Sequence, residues 1–144
     1  MFDSVWPTRI ARFGEAITPT GTIALRHARY ATDFGPMDGE CVCPCCLPRG
    51  QSSGKGLGVT RALIHHIAAK ETVGAHYVTM HNVHFLMQLL REARQAIIED
   101  RYPMYLREWF LKRFGTRKDM PLWTVDALRG VGVDLLEQTP ERVG

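Results

Sequence analysis

The sequence predicts a mostly α-helical fold that carries one short β-hairpin and is organised around a cysteine-rich turn. Three observations point there. Apolar residues recur at helical steps over much of the second half, a Pro-Thr-Gly turn separates two short apolar stretches near the start, and all four cysteines fall in the run Cys41-Val42-Cys43-Pro44-Cys45-Cys46.

The hairpin comes first. In GEAITPTGTIALRHARY the stretches Ala16-Ile17 and Thr22 to Leu25 flank Pro19-Thr20-Gly21, residues suited to a tight turn. Asp33 to Cys46 reads as a loop ending in the cysteine turn. Pro48 to Val59, PRGQSSGKGLGV, is rich in Gly and Ser and reads as a surface loop. It is not a phosphate-cradling loop, because Gly50 to Gly54-Lys55 is one residue short and Gly56 stands where Ser or Thr is needed for magnesium.

Three helices are expected, roughly over 60–71, 80–99 and 103–114. In the second, Val83, Leu86, Leu90, Ala93 and Ile97 mark one buried stripe, and Thr79 or Asn82 caps its start, leaving His81 in the first turn. In the third, Leu106, Phe110 and Phe114 repeat at four with Trp109 alongside, a pattern of core or interface rather than a platform for bases. Asp126 to Leu136 is a short terminal element of unassigned type. There is no internal repeat.

At 144 residues and 45% hydrophobic, the chain suffices for one domain with a modest core, or for part of something larger. A net charge of +3 does not describe a polyelectrolyte binder. Arginine supplies 14 of the 18 basic residues, which tilts the partner towards nucleic acid, although a solvated basic surface explains the charge by itself. No run approaches the roughly 18 to 20 apolar residues needed to span a bilayer, and the first residues do not show the basic start, apolar run and small-residue cleavage site of a secretory leader.

In a reducing compartment such a cysteine cluster suits metal better than disulfides, since bridges across such small loops are strained. Cys-x-Cys-x-x-Cys offers three thiolates, and tetrahedral zinc takes a fourth nitrogen or sulfur. His65 and His66 lie inside a short helix with Leu63, Ile64 and Ile67 and read as ordinary core-edge residues, whereas His81 at a rigid helix end is pre-positioned. The expected ligands are Cys41, Cys43, Cys46 and His81, with Cys45 turned away.

MFDSVWPTRIARFG, the cysteine turn preceded by DFGPMDGE, the helix RALIHH and the helix start TMHNVHF occur in that order. As a set they resemble the tRNA-guanine transglycosylases, or queuine tRNA-ribosyltransferases, from Met1 to about Ile98 and more weakly through PLWTVDALRGVGVDLL, which is similar to the tail of the eukaryotic catalytic subunit. Two departures stand out: about ten residues inserted after Cys46, and a one-residue shortening between Ile67 and Tyr77.

The resemblance implies an α/β enzyme, a TIM-barrel (β/α)8 with a zinc-binding subdomain inserted near its last strand, of which this chain is the C-terminal part. On that basis residues 1–35 hold the end of the barrel, the nucleophile, the tRNA-recognition loop and the hairpin. Residues 36–99 form the zinc subdomain, and 100–144 the C-terminal helix and tail. Met1 is then expected to mark an alternative start or an internal methionine of a longer gene.

Asp3 matches the family's nucleophile. Thr8, Arg9, Ile10, Ala11 and Arg12 match the loop that recognises the anticodon, and Cys41, Cys43, Cys46 and His81 match its Zn2+ ligands. The implied reaction replaces guanine at the wobble position by queuine or a related 7-deazaguanine through a covalent ribosyl-aspartate, in queuosine biosynthesis. The implied partners are the tRNA anticodon loop and a related non-catalytic subunit in a hetero-dimer, or a second copy in a homodimer. The implied location is the cytoplasm, with peripheral attachment to the mitochondrial outer membrane as a further placement. These residues alone are expected to be inactive, since pre-organisation of the site is missing; the alternative function is a zinc-stabilised module that binds another subunit.

Overall fold

The computed structural model describes residues 3–50, 55–68, 70–116, 119–130 and 132–134. Met1 and Phe2 of the opening tripeptide, residues 51–54 of the insertion, and Leu135 and Leu136 of the terminal element lie outside them. The elements in chain order are α1 (Trp6–Ala11), β1 (Glu15–Thr18), β2 (Gly21–Ala24), a 3-10 turn (Ala28–Tyr30), α2 (Arg61–Ile67), α3 (Thr72–Ile98), α4 (Tyr102–Phe114) and α5 (Leu122–Arg129). The described chain is therefore mostly helical with one two-stranded antiparallel hairpin, as expected.

Two units divide the chain, Met1–Arg91 and Glu92–Gly144. In the first, α1 begins with Pro7 in its opening turn, where a missing N–H costs nothing and the fixed φ suits a helix. β1 pairs with β2 in the register Ala16 to Ile23 and Ile17 to Thr22, and Pro19-Thr20 makes the turn. The Thr18 hydroxyl donates to the Gly21 carbonyl at 2.8 Å across that turn. α2 is capped by Thr60, whose hydroxyl oxygen accepts from the Leu63 N–H at 3.1 Å. His65 bonds the Leu25 carbonyl at 3.1 Å and His66 the Ala31 carbonyl at 3.3 Å, so both imidazoles tie α2 to the segment after the hairpin.

The long helix differs from expectation. It starts at Thr72 rather than near 80, so His81 lies well inside it and neither Thr79 nor Asn82 is a cap. Gly74 does not break its first turn: a Cβ there would sit 2.9 Å from the Ala68 Cα, and glycine is what lets the helix start close against the end of α2. The buried face also differs. Val78, His81, Asn82 and Ala96 are buried, whereas Val83, Leu90 and Ile97 of the expected stripe are exposed. Periodicity counted apolar residues, but the inward face here includes two polar ones. The helix ends where Asp100 takes φ 53 and the Arg101 N–H reaches back to the Ala96 carbonyl at 2.9 Å.

Residues 57–59 run back along the cysteine turn. Leu57 N–H donates to the Pro44 carbonyl at 2.8 Å, Gly58 N–H to Leu47 at 2.9 Å and Val59 N–H to Cys45 at 2.8 Å. A side chain at Gly56 would stand 2.0 Å from the Pro48 carbonyl oxygen, so the two limbs approach too closely for any other residue.

In the second unit α4 also starts with proline in its first turn and stops at Gly115, whose φ is 75. Its Leu106, Phe110, Leu111 and Phe114 pack against Met120, Val125 and Val133, which bears out the core reading of that stripe. Phe110 and Phe114 stack at 6.1 Å, and Trp109 meets Phe110 edge-on at 5.1 Å. The terminal element is the helix α5, beginning after Pro121 and so earlier than Asp126.

Candidate metal centre

The cysteine turn is closed by its own backbone. Cys46 N–H and Leu47 N–H both donate to the Cys43 carbonyl, at 3.1 and 3.0 Å. Two N–H groups also reach sulfur: Cys43 N–H at Cys41 Sγ, and Cys46 N–H, shared with the carbonyl, at Cys43 Sγ, each 3.4 Å. Such N–H donors favour the thiolate over the thiol.

Across from the turn, α3 presents His81. Its Nδ1 lies 3.6 Å from Cys43 Sγ and 3.4 Å from Cys46 Sγ, and its Nε2 is 2.8 Å from the Ile17 carbonyl oxygen. A carbonyl only accepts, so Nε2 carries a hydrogen, and Nδ1 is the ring atom facing the sulfurs that a metal would take. The ligand atoms of Cys41, Cys43, Cys46 and His81 all lie within 4.8 Å of one another. Cys45 is outside that set of four, its Sγ turned to the Tyr77 carbonyl at 3.5 Å and to Met80 Sδ on α3 at 3.6 Å.

Groups this close cannot all keep ordinary protonation. Hydrogen bonds from Cys41, Cys45 and Cys46 drive the Cys43 thiol far below its usual value, while Cys46 is raised through Cys41 and Cys43 and Cys45 is raised through Cys43 and by burial. Burial works against charge on His81, yet Cys41, Cys43 and the Ile17 carbonyl together push it up to about 10. A concentration of thiolate character beside an oriented imidazole is the donor set of a structural zinc site, and these four residues fit that ion. Its role would be to tie the cysteine turn to α3.

The residue after His81 was missed as anything but a cap. Asn82 is fully buried; its Oδ1 accepts from the Ile17 N–H at 2.8 Å, and its Nδ2 donates to the Pro7 and Glu15 carbonyls, each at 3.0 Å. An Asn beside a candidate His ligand was the available signal.

At the start of the chain, Asp3 is exposed and lines an open pocket of about 370 Å³ with Ser4, Val5, Trp6 and Arg9. Thr8 to Ala11 lie on α1 and Arg12 caps its end, so the expected loop is a helix, pre-set by Pro7. Arg9 and Arg12 are exposed, three residues apart on the helix and its cap. The Thr8 hydroxyl donates to the Val5 carbonyl at 3.0 Å, Ile10 is half-buried, and Ala11 is packed in the core. Arg26 donates to the Arg12 carbonyl at 3.0 Å and steadies the helix end.

Comparison with known proteins gives one consistent result. Residues 1–115 match the family model described as queuine tRNA-ribosyltransferase. A queuine tRNA-ribosyltransferase catalytic subunit of Schizosaccharomyces pombe is 47% identical over 137 residues, covering 94% of this chain and 33% of that protein. The catalytic subunit of Caenorhabditis briggsae is 37% identical over 149 residues, covering 94% and 35%. A queuine tRNA-ribosyltransferase of Staphylococcus haemolyticus is 40% identical over 122 residues, covering 84% and 29%. The chain thus spans about a third of the length of the curated relatives it matches.

Proposed function

The chain belongs to the queuine tRNA-ribosyltransferase family, and from that premise we propose that it supplies the nucleophile, an RNA-binding helix and the zinc centre of a tRNA-guanine transglycosylase. The observation that carries this reading is the pocket shared by Asp3 and Arg9 at the start of α1. A carboxylate there attacks C1′ of the wobble ribose. The C1′–N9 bond breaks, its electron pair leaves with guanine, which takes up a proton, and a ribosyl ester of Asp3 remains. An incoming 7-deazaguanine, queuine in a eukaryotic-type enzyme, then loses a proton and attacks the same carbon, freeing the carboxylate and preserving configuration through two inversions.

Guanine must leave the anticodon stack to be reached, and Arg9 and Arg12 suit the task of holding the loop while it does. Thr8, Ile10 and Ala11 complete the segment, Ala11 by packing that fixes the helix. The (β/α)8 barrel belongs to the remaining length seen in the relatives, so the 144 residues alone are expected not to exchange base. In this reading the enzyme works in the cytoplasm, free or peripherally attached at the mitochondrial outer membrane. Among the described residues no helix is long and apolar enough to cross a membrane.

A second reading, a non-catalytic module that pairs with a related subunit or a second copy, is favoured by Met80, Val83, Met87 and Leu90, apolar and exposed along α3. Base exchange with labelled guanine at the wobble position of a cognate tRNA separates the two, using the zinc-loaded chain with and without a candidate partner protein. Exchange that appears with the partner and disappears in Asp3→Ala supports the transglycosylase. Exchange that survives Asp3→Ala sinks it, and partner binding with no exchange leaves the module.

A further inference from the structure

We infer that Asn82 is a positioning residue that holds the start of α1, and with it the Asp3–Arg9 pocket, on the same strand residue that orients the metal ligand His81. The inference rests on the reading of α1 as an RNA-binding helix.

Ile17 is gripped from both sides by consecutive residues of α3. His81 Nε2–H donates to its carbonyl at 2.8 Å, and Asn82 Oδ1 accepts from its N–H at 2.8 Å. The other end of the Asn82 amide donates to the Glu15 carbonyl on the same strand and to the Pro7 carbonyl in the first turn of α1, each at 3.0 Å. The amide can sit only one way round, because Ile17 N–H only donates and the Pro7 and Glu15 carbonyls only accept. Pro7 lies four positions after Asp3 and two before Arg9 in the sequence, so this one amide anchors the helix start between them.

Besides Asn82, burial of Pro7 holds the start of α1, and the packing of Ala11 and the bond from Arg26 to the Arg12 carbonyl hold its far end. Without Asn82 the pocket end of the helix loses its polar anchor, while three backbone groups, those of Ile17 and Pro7 buried and that of Glu15 partly so, lose this partner. Metal ligation by His81 and placement of α1 thus share Ile17. The pocket then depends on the zinc centre without any metal ligand touching RNA.

The test compares the zinc-loaded chain with Asn82→Ala and Asn82→Asp; the aspartate keeps the acceptor for Ile17 N–H and loses both donors. Hydrogen exchange is read at the amides of α1, with those of α2 as internal reference, alongside zinc content and affinity for an anticodon stem-loop RNA with guanosine at the wobble position. Both variants should keep stoichiometric zinc and α2 protection, exchange at α1 roughly tenfold faster, and bind the RNA correspondingly less tightly. Variants that hold zinc and protect α1 like the parent overturn the inference. Lost α1 protection with unchanged RNA affinity upholds the positioning role and removes the RNA-binding reading instead. Should neither variant fold, the unmutated chain decides by NMR: slow exchange of the Asn82 side-chain amide protons supports the anchor, and exchange at the rate of a free amide refutes it.

Discussion

In Met1–Arg91 the deepest polar side chains bond the hairpin, His81 and Asn82 at Ile17 and Thr18 across its turn, although Arg61 Nε and His84 Nε2 are buried there without a partner. In Glu92–Gly144 burial is apolar and sparse, with Met120, Val125 and Val133 under an α4 that has no buried residue of its own, and the buried Thr124 hydroxyl finds no partner. The first unit therefore adds directional bonds and a ligand cluster to an apolar core around Leu25, Met37 and Ile64, whereas the second is held by contact area. A metal-centred unit should fail abruptly when one ligand is lost, whereas a unit held by area should weaken in proportion to what is removed.

The largest effect tests the first half of that contrast. Cys43→Ser or His81→Ala should abolish stoichiometric zinc and unfold the region from Cys41 to about Ile98, since a structural zinc site contributes on the order of 10 kcal/mol, comparable to the whole stability of a small domain. Zinc analysis with thermal circular dichroism checks it; a variant with full zinc and an unchanged melting curve removes that residue from the ligand set. Met120→Ala should cost about 2–4 kcal/mol, seen as faster amide exchange in α4, with zinc content unmoved. Loss of zinc in that variant would break the comparison.

Thr124→Val sharpens it. Replacing an orphaned buried hydroxyl with a methyl of similar shape should leave the second unit unchanged or about 1 kcal/mol more stable in chemical denaturation, the opposite sign to Asn82→Ala. The smallest effect concerns Asp33, whose carboxylate accepts from Arg61 at 2.9 Å and from the Gly35 N–H at 3.0 Å, bonds that hold its pKa below the ordinary 3.8. A lowered pKa means stability that is present above the ordinary value and lost as pH falls through the folded one. Asp33→Asn should therefore lower the melting temperature slightly at neutral pH and not at all in strong acid, and added salt should shrink the difference.

Much of this molecule was legible from local signals. Pro19-Thr20-Gly21 marked the hairpin because turn chemistry acts within a few residues, and the cysteine spacing marked the metal turn because three thiolates that close can converge only by bending the backbone. The four ligands, the innocence of His65 and His66, and the packing stripe of α4 followed from spacing and composition. α1 escaped notice because a helix of six residues is too short for periodicity to register.

The sequence by itself determined which groups could bind metal, where the chain turns, and, through the order of its motifs, the family. Only the tertiary structure decided which face of α3 is inward. An apolar count selects Val83, Leu90 and Ile97, but burial of His81 and Asn82 is made favourable by three backbone groups of the hairpin and one of α1, partners 64 to 75 positions away in sequence. For the same reason Asn82 looks like a cap when read locally. Its side chain could have bonded its own backbone, and it is the fold that brings Ile17, Glu15 and Pro7 within reach instead.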